Sequence, residues 1–418
     1  MNEQNLENAL ITAPVQAQER IVVLDIIRGV ALLGILLVHM PLWFGTPYLY
    51  LSLFDQTTEW VNIWDRVAYI FVDTFVQGKF FPIFSFLFGL GFFIFFERAK
   101  ERSTKPKRLF CKRLFILLII GLIHAFFIWF GDVLVSYALL GFLLPLFFNR
   151  KPKTILIWAI ALFAPIAFLT VLGAAFTILL NGANAEVTTT QMPAIFMGLK
   201  DNIESSFQAY GHGTFGEIMA QRASDTLLGY AFLFAIIFVI FPIFLLGLYA
   251  GKKGIFQNLE ANLPFIRKTW IWSCVIGLSM SVVTLILRNQ TETNLISFIN
   301  IVTGFFRDAG LIVFYFTSIT LLFQKTKWVS KLKPFGYVGR MALSNYLLQS
   351  IIGTMIFYSY GLGLYGQIAP ALGFVLAILI FIIQIIISKW WLSRYQFGPM
   401  EWVWRSLTYG KRFKNSKD

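Results

Sequence analysis

The chain has 418 residues, of which 57% are hydrophobic and only 13% charged, with 46 phenylalanines. So much apolar surface excludes a soluble globular enzyme, and apolar runs of the roughly 20 residues needed to cross a bilayer recur along the chain. The net charge of +14 does not mark a nucleic-acid binder, because the basic residues cluster in short connections between apolar runs, where they act as topology signals.

In chain order, the first 19 residues carry Glu3, Glu7 and Glu19 and no basic residue, which does not fit a cleaved signal peptide. Residues 1–20 are predicted to be a cytoplasmic segment, and the run after Arg20 a retained first span. About ten spans are predicted, near 22–44, 78–97, 109–130, 132–149, 154–180, 226–250, 268–288, 300–324, 335–359 and 367–390. The connection after span two holds Arg98, Lys100, Arg102, Lys105, Lys107, Arg108, Lys112 and Arg113. Later connections hold Arg150, Lys151 and Lys153, then Lys252, Lys253, Arg267 and Lys268, then Lys325, Lys327, Lys331 and Lys333. Residues 391–418 form a basic tail. The alternate connections are acidic or neutral: 45–77 contains Asp55, Glu59, Asp65 and Asp73 against Arg66, and 181–225 contains Glu186, Asp201, Glu204, Glu217 and Asp225 against Lys200 and Arg222. By the positive-inside rule both termini are cytoplasmic and these two loops lie outside. The segment 59–77 is expected to be an interfacial helix, and 181–225 to open with small polar residues before turning helical. The fold expected is an all-α polytopic membrane bundle spanning 21–390. Cys111 and Cys274 fall near the cytoplasmic side, so no disulfide is implied, and no metal-ligand spacing occurs.

Polar side chains inside the spans are the chemical signal, since ionisable groups at membrane depth are costly. Span one carries Asp25, Arg28 and His39 within a stripe about 60° wide, with His39 about 20 Å from Asp25. Span three repeats the pattern, placing His124 eleven residues, or about 16 Å, beyond Arg113 on the same face. Asp132 follows in the short turn Gly131–Asp132. A neutral imidazole at His124 can take a proton from a hydroxyl or amine attacking a thioester, with Asp132 to fix its tautomer and His39 to assist. Arg113 and Arg28 would hold the phosphates of an acyl donor, with Asp25 beside them at the donor site. An Asp25–Arg28 ion pair at the membrane edge that orients the helix is an equal reading of those two. Packing between helices and lipid-headgroup contact explain the same residues without chemistry. Lys79, Asp73, Arg222 and His212 near the outer side, and Arg340, Ser344, Asn345 and Gln349 in span nine, are candidates for contacting substrate. For Arg222 and His212 solvation is the plainer reading, and for Asn345 and Gln349 it is polar bonding between helices.

Several stretches resemble the YeiB-like bacterial membrane proteins, domain of unknown function 418. They include Leu24-Asp25-Ile26-Ile27-Arg28-Gly29, Lys79-Phe80, Gly121-Leu122-Ile123-His124 and Gly131-Asp132-Val133-Leu134. The most specific are Gly339-Arg340-Met341-Ala342-Leu343-Ser344-Asn345-Tyr346-Leu347-Leu348-Gln349 and Gly398-Pro399-Met400-Glu401-Trp402-Val403-Trp404-Arg405. More remotely, the Leu-Asp-x-x-Arg-Gly stretch ending at His39, and Arg113 with His124, are similar to features of the transmembrane acyltransferases, which include the acyltransferase-3 and heparan-glucosaminide acetyltransferase proteins. That resemblance implies an acyltransferase-like first half, 21–250, and a family-specific second half, 251–390. It also implies acyl-CoA, notably acetyl-CoA, as co-substrate from the cytoplasm, with no permanently bound cofactor, and a small-molecule or glycan acceptor from outside. The expected location is the bacterial cell membrane. Oligomeric state is open, a homodimer included. A transporter or exporter of a small or amphipathic solute is the competing reading, since the same groups would line a pathway, and a non-catalytic sensing or scaffolding component is the third.

Overall fold

A computed structural model describes residues 20–45, 62–102, 105–185, 194–231, 233–288, 290 and 293–417. The predicted segment 1–19 and the loop portions 46–61 and 186–193 lie outside the described residues.

The first helix, α1 (Val22–Val38), runs on as a π-helix over His39–Gly45. A short helix α2 (Ile63–Phe71) and a π-helical turn (Val72–Val76) lead into α3 (Phe80–Arg102). Then α4 (Pro106–Ile123) passes into a π-helical turn, His124–Ile128, followed by α5 (Leu134–Gly141). Next come α6 (Pro152–Asn181), α7 (Ala194–His212), α8 (Phe215–Ala231) and α9 (Leu233–Lys252). The rest comprises α10 (Leu259–Leu287), α11 (Asn294–Phe323), α12 (Thr326–Arg340), α13 (Ala342–Phe357), α14 (Pro370–Arg394) and α15 (Pro399–Tyr409).

The protein is an all-α membrane bundle. Among the described residues seven helices are long and apolar enough to cross a bilayer, eight if α8 and α9, bent 69° from one another, act as one span. The predicted spans at 132–149 and 335–359 fall on shorter apolar helices, Leu134–Leu146 and Ala342–Phe357. The predicted interfacial segment is helical from Ile63, and the second half of the 181–225 loop forms α7 and the start of α8.

Burial sorts the helices into layers. The first span is 67% enclosed by protein, whereas α6 is only 11% enclosed, and of its side chains only Ile155 and Ala159 are buried. An apolar helix exposed over most of its surface suits lipid contact and little else. The crossing of α1 with α12 is set by Gly29 and Gly339. A Cβ on Gly29 would overlap the carbonyl oxygen of Phe335, and one on Gly339 the carbonyl oxygen of Asp25. Small residues at such crossings let two backbones touch, the main source of attraction between helices in lipid. That contact carries Arg340 to the end of the bundle where Arg20, Asp25 and Arg28 sit.

Candidate functional site

A cavity of about 730 Å³ runs through the bundle from its basic end. At that end it is lined by Arg20, Arg28, Arg98, Arg113, Arg340 and Arg405 and, among the described residues, by two carboxylates, Asp25 and Glu401. At the other end it meets His39, Trp43, Gln77, Trp129, Asp132 and Tyr346. The eleven-residue spacings of Arg28 to His39 and Arg113 to His124 thus do place a cation and an imidazole at opposite ends of one space or its wall.

The deeper end is organised by the break in α4. After Ile123 the helix widens to π geometry, and Trp129 leaves it in extended conformation. His124 and Asp132 are brought together across this turn: Nδ1 of His124 lies 2.8 Å from an oxygen of Asp132, and both side chains are fully buried. The second carboxylate oxygen accepts the backbone N–H of Val135 at 2.7 Å, holding the first turn of α5. With the Nδ1 proton given to Asp132, Nε2 of His124 carries a lone pair, and that atom is buried with no hydrogen-bond partner among the described residues. A buried polar atom left so costs about 1–3 kcal/mol.

His124 itself does not border the cavity. The wall in front of it is made by Asp132, Trp129 and Tyr346, whereas His39 borders the space directly. The rings of His39 and His124 lie on Trp129 at centroid distances of 4.5 and 6.5 Å. Trp129 is fixed, being stacked on Phe44 and packed over Gly131, where any Cβ would collide with the indole. Tyr346 is packed in the core with its ring 5.2 Å from His124, and its hydroxyl donates to the carbonyl of Gly131 at 3.2 Å and meets the backbone of Val133.

The basic end is bordered on one side by α15. Glu401 accepts from the backbone N–H groups of Leu343 and Ser344, at 2.7 and 3.2 Å, and from the Ser344 hydroxyl at 2.5 Å, so it caps the start of α13. Burial pushes the Glu401 carboxyl above the usual range, against the pull of those donors. One turn on, the Trp404 indole donates to the carbonyl of Arg113 at 2.8 Å, and the Arg113 guanidinium lies 3.7 Å over the Trp404 ring and 5.3 Å from that of Phe95. Arg28 is paired with Asp25 at 2.7 Å. Arg113 and Arg405 have no carboxylate within ion-pair distance among the described residues. Burial, then repulsion from Arg340, Arg405 and Arg28, brings the Arg20 pKa down to about 10 despite the attraction of Asp25.

Other predicted residues sit elsewhere. Lys79 is buried, with its ammonium 2.9 Å from Asp308, which also pairs with Arg307, and Asp73 binds Arg288 at 2.9 Å. These five form a separate network joining the start of α3 to α10 and α11. Asn345 and Gln349 meet α14 through Ser388 and Gln384, at 3.0 and 2.9 Å, so polar bonding between helices accounts for both. Of the span-nine set, Arg340 borders the cavity. His212 is exposed. Arg222 corrects the expectation of solvation: it is 1% exposed and donates to the carbonyl of Phe127 at 2.7 Å. The reason lies in α8, which packs against the π-turn and uses Arg222 and Thr226 to satisfy carbonyls freed there.

Sequence reasoning did not place Arg20, Arg98, Glu401, Trp404, Arg405 and Tyr409 at one cavity. For Glu401, Trp404 and Arg405 the signal was the Glu401–Arg405 stretch, whose spacing of four puts a carboxylate and a guanidinium on one helical face. Nothing in a single sequence shows that this face turns back onto α4.

Residues 250–411 match the family model described as protein of unknown function, DUF418. The uncharacterised protein YxaH of Bacillus subtilis is 36% identical, over 95% of this chain and 96% of its own length. An uncharacterised 39.9 kDa protein from the amylase 3′ region of Bacillus acidopullulyticus is 30% identical, over 96% of this chain and 97% of that protein. The uncharacterised protein YeiB of Escherichia coli is 26% identical, over 93% of this chain and 96% of its own length. With relatives matching from end to end, the chain belongs to the YeiB-like, DUF418 family of membrane proteins.

Proposed function

We propose that the protein is a membrane acyltransferase, moving an acyl group, in the first place acetyl, from acyl-CoA to a hydroxyl or amine acceptor. One observation carries this reading: a single cavity joins a cluster of six arginines to the wall that backs onto a buried histidine–aspartate pair. Permanent cations suit the phosphates of a nucleotide-bearing donor, and a neutral imidazole fixed by a carboxylate suits proton removal.

In this scheme the basic end faces the cytoplasm, and Arg113 and Arg28 hold the donor with its thioester toward His39 and Asp132. The acceptor enters from the opposite side. His124 Nε2 takes the proton as the acceptor oxygen or nitrogen bonds to the thioester carbonyl carbon. The C–S bond breaks, and the thiolate leaves and recovers the proton. The acceptor reaches Nε2 once Tyr346 turns aside, which gives up its hydroxyl contacts with the backbone of Gly131 and Val133 and its packing in the core. His39 orients the acceptor at the wall.

The test is purified full-length protein with radiolabelled acetyl-CoA, comparing wild type with His124→Ala, His39→Ala and Arg113→Ala. Wild type should bind the donor and slowly hydrolyse or transfer its acetyl group. His124→Ala should bind it without turnover, and Arg113→Ala should bind it weakly. If the wild type neither binds nor consumes acetyl-CoA, the reading fails, and a transport pathway through the same cavity becomes the better account. If His39→Ala abolishes turnover while His124→Ala retains it, the base is His39.

A further inference from the structure

The basic end holds more positive charge than a diphosphate needs. Six guanidinium side chains border the mouth of the cavity against the carboxylates of Asp25 and Glu401, and neither carboxylate is free. Asp25 is engaged by Arg28, and Glu401 is spent on the start of α13. Arg405 stands among these cations, its charge bearing on both Arg20 and Arg113, and the nearest carboxylates that attract it are the already engaged Glu401 and Asp25. Arg340 adds a further cation there, with its Nε buried and unpartnered. Like charges so enclosed repel one another, and an anion that binds among them stabilises the folded state.

The position of Arg405 is built. Glu401 ties α15 to α13, the Ser344 hydroxyl accepts from the backbone N–H of Met400 at 3.0 Å, and Trp404 ties the next turn to α4. The tail beyond is pinned back, with the Asn415 side chain accepting from the backbone N–H of Phe397 at 2.9 Å and the Trp402 indole donating to the carbonyl of Phe413 at 2.8 Å. Arg405 is therefore held facing the cavity at a fixed place beside Arg20 and Arg113.

We infer that Arg405, with Arg20 and Arg340, forms a phosphate-monoester site distinct from the diphosphate contacts of Arg113 and Arg28. The donor site accordingly selects a nucleotide carrying both a diphosphate and a separate phosphate, as CoA does, over one lacking the extra phosphate. This rests on the acyl-donor reading above and assigns its specificity. A monoester contributes close to two negative charges near neutral pH, as a phosphorylated side chain does, and planar guanidinium forks match its oxygens in pairs.

The test is equilibrium binding of CoA and dephospho-CoA to the full chain in nanodiscs of zwitterionic lipid. Wild type should bind CoA at least tenfold more tightly than dephospho-CoA. Arg405→Gln should lower CoA affinity about tenfold while leaving dephospho-CoA within about twofold, so that the preference disappears. Arg405→Lys, which keeps the charge, should retain part of the preference and guards against a merely unfolded variant. Equal binding of the two nucleotides by wild type, or equal weakening of both by Arg405→Gln, overturns the monoester site and leaves the acyl-donor reading standing. Absence of any CoA binding overturns both. Loss of CoA binding on adding phosphatidylglycerol to the nanodiscs would reassign these arginines to a lipid headgroup and overturn the inference.

Discussion

At Asp132 one carboxylate serves two buried partners, the imidazole of His124 and the backbone N–H of Val135. Its replacement therefore separates structure from chemistry. Asparagine keeps the shape, and its amide oxygen still accepts from Val135. Its amide N–H, however, donates to Nδ1 of His124 and drives the ring proton onto Nε2, where the base needs a lone pair. Asp132→Asn is expected to melt within a few degrees of wild type yet lose about 100-fold or more in acetyl transfer. Asp132→Ala leaves two buried groups unpartnered at about 1–3 kcal/mol each and should melt clearly lower. Thermal unfolding in detergent, beside labelled acetyl transfer, checks both. An Asp132→Asn protein with full turnover would show that the tautomer of His124 has no part in the reaction.

Among the elements, α15 illustrates what a buried acid does to stability. Burial raises the folded-state pKa of Glu401 above its ordinary 4.5, so the folded protein holds this proton over a pH range where the unfolded chain has lost it. Its stabilising share is complete below about pH 4.5 and is lost as pH rises through the raised value. In Glu401→Gln that component is absent. Melting temperature measured from pH 4.5 upward should therefore fall more steeply for wild type than for the variant, and parallel profiles would mean that Glu401 titrates normally. The same helix shows where sequence reading stops. The long apolar spans were legible from composition because lipid tolerates little else, and so were the paired cations and imidazoles, because helical spacing is fixed. The π-helical turns at His39 and His124 were not, because they leave no mark on apolar periodicity. The return of α15 onto α4 was hidden too, since it depends on Glu401 finding the start of α13, a partner 58 residues away in the chain.

For the whole molecule, the direction of any reaction depends on which end of the bundle faces the cytoplasm. The basic connections and the arginine mouth share one end, so an orientation that follows the positive-inside rule would also turn the proposed donor site toward the compartment where acyl-CoA is made. A topology experiment thus bears on mechanism. Both native cysteines, Cys111 and Cys274, are only partly buried and would be replaced by serine. Single cysteines would then be introduced at His212, an exposed position in the acidic outer region, and at Lys253, an exposed position in a basic connection. In intact cells a membrane-impermeant maleimide is expected to label position 212 at once, and position 253 only after permeabilisation. Labelling in the opposite order would turn the arginine mouth outward, away from any cytoplasmic nucleotide. Those six guanidinium groups would then have to be read as a site for an anionic solute approaching from the envelope side.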